Sequence, residues 1–152
     1  MFVGAPTITE LFKTSSLLSI ITTVYIPKGI AMDADSRLTG TTTHNNIIDR
    51  HTISDNSQKL FLLKNNTIGI ACCGDAIIAR RSVGDFFRQF EIDNIDKSDN
   101  ILTIVIKLRD YTISMHGFGV NYQVSGYLDD VPYMYTIIND QFVRENVNEN
   151  GI

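Results

Sequence analysis

Short polar turns constrain this chain more than any other feature. Residues 19–26, SIITTVYI, are β-branched and aromatic and read as a strand. Pro27-Lys28-Gly29 is turn chemistry, and residues 30–35, IAMDAD, read as the returning strand of a hairpin. Residues 59–63 and 68–73 flank Lys64-Asn65-Asn66-Thr67, where the paired asparagines suit positive φ. Asp129-Asp130 and Asn139-Asp140 separate three more strand-like runs, 120–127, 131–138 and 142–147. Strands joined by turns this short run antiparallel.

Between these hairpins the hydrophobic period lengthens. Asp75 is placed to cap a helix whose apolar stripe is Ile77, Ile78, Val83, Phe86, Phe87 and Phe90. A second helix is predicted from near Ser98, with Ile101, Ile104, Val105, Leu108, Thr112 and Met115 on one face and Gly117 as its stop. Residues 37–56 are rich in Thr, Asn, Asp and His and show no period, so a long loop is expected there. The predicted order is strands, a helix pair, then strands, and the helix pair must cover a sheet face. Two antiparallel sheets stacked face to face with helices outside is the simplest such arrangement. With the chain stopping just past its last strand, one sheet is expected to lack later covering helices.

The chain of 152 residues is long enough for one domain with a core, and 43% hydrophobic and 20% charged residues are ordinary for a globular protein. A net charge of -4 without a block of like charge gives no nucleic-acid or anionic-membrane surface. No apolar run is long enough to cross a bilayer, and residues 1–18 lack a basic start before an apolar stretch, so no signal peptide is read. Cys72 and Cys73 are neighbours that point to opposite faces of a strand, as expected for small buried residues in a reduced, cytoplasmic protein. His44, His51 and His116 have no metal-ligand spacing, and no phosphate-binding or nucleophile-elbow motif occurs. No metal and no cofactor is expected.

The informative stretches are GIAMDADSR (29–37), QKLF (58–61) and IGIACCGDA (68–76). Taken alone, Asp35 can simply end a strand and Lys59 can be a solvated strand-end lysine. However, both faces of residues 59–63 are apolar, so Lys59 opens a strand with little access to water, and a buried lysine needs a carboxylate partner. In order and spacing the three stretches resemble proteasome β-type subunits and the bacterial HslV peptidase, which are N-terminal-nucleophile hydrolases. The likeness runs from about residue 19 to 151.

That resemblance implies an α+β fold, a four-layer αββα sandwich of antiparallel sheets, here truncated at its C-terminus. It implies an extension or propeptide-like segment at 1–18 and an incomplete hydrolase domain at 19–152. Carried across by position, Ser19 falls at the terminal nucleophile, Asp35 at the orienting acid, Lys59 at the active-site lysine and Arg37 at the neighbouring basic residue. Thr39 falls where the backbone aligns substrate, Ala71 at the glycine whose N–H holds the oxyanion, and Gly69 and Cys73 at the specificity pocket. In such enzymes the hydroxyl of the first residue attacks a carbonyl and its own α-amine is the base. An amine with an unperturbed pKa of about 7.7–8.0 suits that task.

The sequence departs from the family pattern at several points. Serine replaces the usual threonine, alanine replaces glycine at position 71, and the chain ends before the supporting Ser and Asp of the family. Eighteen residues precede Ser19, and while Leu18 is attached the Ser19 nitrogen is an amide rather than a base. A natural start at Leu18, read from an alternative start codon, is one expectation that would expose Ser19. Three functions stay open: a peptidase working in a homo-oligomeric ring with an ATP-driven partner, a non-catalytic shell or scaffold subunit, and a hydrolase of small amides.

Overall fold

The computed structural model describes residues 19–26, 28–44 and 47–147. The expected extension at 1–18 therefore lies outside the described residues, as does Pro27 of the first turn. The chain forms β1 (Ile21–Ile26) and β2 (Gly29–Ala34), β3 (Leu38–His44) and β4 (Ile47–Ser54), then β5 (Leu60–Leu63) and β6 (Ile68–Gly74). Two short strands, β7 (Ile77–Ile78) and β8 (Arg81–Ser82), lead into α1 (Val83–Asn94) and α2 (Ile101–Met115). The last elements are β9 (Val120–Leu128), β10 (Val131–Ile138) and β11 (Gln141–Arg144).

The scaffold is one antiparallel sheet in the order β11-β10-β9-β6-β5. The predicted turns close it: Asn65, Asn66, Asp129, Asp130 and Asn139 all have positive φ, which Asn and Asp tolerate better than most residues. Alternation along the strands sends Ile70, Cys72, Tyr122, Val124, Tyr135 and Ile137 to one face, where they are buried. Helix α1 lays Phe86, Phe87 and Phe90 on that face, and α2 adds Ile104, Val105 and Leu108. Thr112 ties helix to sheet, because its Oγ1 bonds the Leu108 carbonyl at 2.8 Å and meets the Tyr122 hydroxyl at 3.1 Å. Burial pushes the Tyr122 hydroxyl pKa up.

On the opposite face lies the β1–β2 hairpin, joined to the sheet by a hydrogen bond of 2.8 Å between Thr23 Oγ1 and Gln123 Oε1. The four-layer αββα sandwich is thus corrected. Among the described residues strands hold 50% and helices 22%, and both helices pack on the same face of the large sheet. The second sheet is a two-stranded hairpin, and among the described residues no helix covers it. Its side chains Val24 and Ile26 are 66% and 57% exposed, so among the described residues no fourth layer covers them. No described helix is long and apolar enough to cross a membrane.

Two local expectations also change. Residues 37–56 are not a loop but mostly the β3–β4 hairpin, in register from Leu38↔Ser54 to His44↔Ile47 with a bulge at Leu38/Thr39. Nearly all of β4 is exposed, so the strand carries no alternating pattern to read. Helix α1 starts after Ser82, whose Oγ accepts from the Asp85 N–H at 3.2 Å, and not at Asp75. Ile77 and Ile78 belong instead to the β7–β8 hairpin, turned by Ala79 and Arg80 at positive φ (51° and 63°). Neither residue is a turn former, so the sequence hides this hairpin.

Candidate active site

Three chain segments converge at one end of the β1–β2 hairpin. The register Ile21↔Ala34 sets Ser19 and Ile20 beside Asp35, and the Asp35 N–H donates to the Ile20 carbonyl at 3.1 Å. The Ile20 N–H returns a bond of 2.8 Å to Asp35 Oδ1. Lys59 enters from the start of β5, pinned by its own carbonyl, which accepts from Cys72 N–H at 3.0 Å. The Lys59 ammonium then reaches Asp35 Oδ1 at 2.9 Å, Ser19 Oγ at 3.0 Å and the Arg37 carbonyl at 2.8 Å.

The electrostatics follow from this wiring. Lys59 is only 9% exposed, and its three N–H donors match its three acceptors. It can stabilise negative charge on the Ser19 oxygen. Burial works against a charged Asp35, but the hydrogen bonds from Lys59 and Ile20 and the lysine's charge prevail, holding the carboxyl below its usual value of 3.8. The Ser19 hydroxyl accepts from Lys59, which leaves its own proton to be donated elsewhere.

Beside this triad is a cavity of about 330 Å³. Ser19, Lys59, Thr39, Cys73 and Asp75 give it polar edges. Leu38, Phe61 and Val83 supply apolar wall, so it suits a side chain of modest size. Desolvation raises the Cys73 thiol pKa, against the charge of Lys59 and a hydrogen bond with Asn121, and burial pushes Cys72 up to about 12. Neither thiol is therefore an activated nucleophile.

The structure brings Ser19 and Asp35 each into contact with Lys59 and puts Thr39 and Cys73 on the cavity wall. Arg37 lines the same cavity, but its backbone carbonyl faces Lys59 while its guanidinium pairs with Asp55 at 2.8 Å on the surface. Ala71 lies apart: it is fully buried in β6, paired with Leu60 and Gln123. Gly69 lines a different cavity on the sheet.

The sequence reading missed Ser57, Gln58, Asp75 and Ser82 as cavity residues. Asp75 is held by His116, whose Nδ1 accepts from the Ala79 N–H at 3.1 Å while Nε2 bonds Asp75 Oδ2 at 3.0 Å. With Nδ1 accepting, the proton sits on Nε2. The Asp75–His116 pair spans 41 positions, and only folding could reveal it. Among the described residues no group of His, Cys, Asp and Glu is arranged to hold a metal. No protein-family model matches the chain, and no curated protein matches it.

Proposed function

We propose that this chain is an amide-bond hydrolase, a peptidase related to proteasome β-type subunits and HslV, that acts once Ser19 is its first residue. The observation that carries the reading is the chain of contacts from Ser19 Oγ to Lys59 Nζ at 3.0 Å and on to Asp35 Oδ1 at 2.9 Å. In this reading Lys59 donates to the Ser19 oxygen, and the base is a freed Ser19 α-amine, carried on the same residue as the hydroxyl.

In the proposed reaction the Ser19 hydroxyl loses its proton to the α-amine and its oxygen bonds to the substrate carbonyl carbon. Lys59 stabilises the developing alkoxide, and Asp35 holds Lys59 in place. The tetrahedral intermediate collapses, the C–N bond breaks, and the leaving amine takes the proton from the α-ammonium. Water then hydrolyses the ester and restores Ser19. The part of β6 that borders the cavity is Cys72–Gly74, so the oxyanion donor is assigned there rather than to Ala71.

The proposed setting is cytoplasmic, with peptide or amide substrates, a homo-oligomeric ring and an ATP-dependent regulator. The second reading is a non-catalytic shell subunit. It is favoured by the Leu18–Ser19 peptide bond, which makes the required amine an amide in the chain as given.

The test is a chain produced with Ser19 as its free N-terminus and treated with a peptide epoxyketone, which needs both the hydroxyl and the α-amine. The hydrolase reading expects a mass adduct on Ser19 that is absent from the chain starting at Met1 and from Lys59→Ala. A folded Ser19-started chain that takes no adduct and cleaves no peptide or simple amide leaves the shell reading standing.

A further inference from the structure

A second cavity of about 860 Å³ opens on the face of the large sheet away from the helices. It lies between the β1–β2 hairpin, which contributes Ile30 and Met32, and strands β5, β6 and β9, which contribute Leu60, Leu62 and Tyr127 among others. Among the described residues no lining side chain is charged. Alternation along β9 sends Ser125 to this face, two residues on from Gln123, which bonds the hairpin there. Ser125 is 3% exposed, and its Oγ has no hydrogen-bond partner among the described residues.

Gly69 sits opposite Ser125 in the β6–β9 register, and a Cβ at that position would meet Met32 Sδ at 2.8 Å. A side chain at position 69 would therefore crowd the space between hairpin and sheet. Such a volume with apolar walls and a few polar groups falls within the range of small-molecule sites. A buried hydroxyl without a partner is an unmet hydrogen-bonding demand that a ligand can meet. An ionised headgroup would lose its hydration there and find no counter-charge. A pure hydrocarbon would leave the hydroxyl unmet.

We infer that the cleft between the β1–β2 hairpin and the large sheet binds a neutral, mainly apolar small molecule whose single hydroxyl or carbonyl pairs with Ser125 Oγ. The site does not depend on the hydrolase reading. It shares only Gln58 and Phe61 with the cavity beside Ser19.

The test uses the whole chain and Nile red, a neutral dye that fluoresces in apolar sites, displaced by 1-octanol or by octanoate. The expected result is displacement by octanol at concentrations at least tenfold below those of octanoate. Ser125→Ala should weaken octanol about five- to tenfold, the worth of one hydrogen bond, while the melting temperature holds or rises. Met32→Trp, which fills the cleft, should abolish dye binding in a chain shown to be folded by circular dichroism. Equal displacement by octanol and octanoate, unchanged octanol binding in Ser125→Ala, or no dye binding at all would overturn the assignment.

Discussion

Asp35 and Lys59 are 24 positions apart in the sequence and 2.9 Å apart in space, with the lysine almost wholly removed from water. The buried ammonium depends on the partly exposed carboxylate for its counter-charge. Desolvation of Asp35 is outweighed only because Lys59 and the Ile20 N–H both bond its Oδ1. The contact therefore joins the first hairpin to the large sheet as well as wiring the candidate site.

Removing the lysine should expose that dependence. Lys59→Met takes bonds from Asp35, Ser19 and the Arg37 carbonyl at once, and is expected to lower stability by about 1–3 kcal/mol. Asp35→Asn should lose less, because the amide oxygen can still accept from Lys59. Urea denaturation of the two variants and their double mutant measures the coupling; additive losses would mean that the pair is not holding the hairpin.

Acid should weaken the fold through two carboxylates. Asp35 and Asp99 titrate below 3.8 in the folded chain: burial opposes their charge, but bonds from Lys59 and Lys107 respectively prevail. A depressed folded pKa means that the unfolded chain binds protons first as pH falls. Their stabilisation is therefore full well above pH 3.8 and is lost as pH drops through and below it. Thermal melts from pH 6 to pH 2 should show this fall, and Asp35→Asn with Asp99→Asn should flatten it. An unchanged slope in the double variant would refute the assignment.

The adjacent thiols should be slow to react. Burial lifts both pKa values, Cys72 to about 12, so little thiolate exists at neutral pH. Mass spectrometry after brief iodoacetamide treatment should find Cys73, half-buried on the cavity wall, modified before Cys72. Both should react freely in urea. Fast native labelling of Cys72 would contradict its place in the core.

Two glycines offer a controlled comparison. Gly74 has φ of 118°, and a Cβ there would collide with the Gly119 carbonyl. Gly117 has φ of 87° with open space around it. Gly117→Ala should cost about 1 kcal/mol for backbone strain alone, and Gly74→Ala clearly more because strain and collision add. Equal losses in denaturation would show that the close approach of β6 to the start of β9 is not as described.

Much of the hairpin pattern was legible, because Asn and Asp accept positive φ and mark turns wherever they fall between β-branched runs. The β3–β4 hairpin escaped notice because Ile47, Ile48 and Ile53 all face water, and a strand exposed on both faces has no reason to alternate. The β7–β8 hairpin escaped because Ala79 and Arg80 adopt a turn conformation that their side chains do not advertise. In the site, Asp35 and Lys59 stood out as an acid ending one hairpin and a lysine opening an apolar strand. Asp75, read as a helix cap, gave no sign that His116 would hold it at the cavity.

Local chemistry in the sequence thus determined the turns of the large sheet and most of the apolar face of each helix, while Ser19, Asp35 and Lys59 were brought together as a triad only through the family resemblance. Tertiary structure alone decided that both helices share one face and, among the described residues, that the second sheet stops at two strands and that Ser125 is buried without a partner. The physical reason is range. Turn preference and hydrophobic period act over a few neighbouring residues. Which face is covered, and which polar group is left without a partner, depends on segments that meet only after the chain has folded.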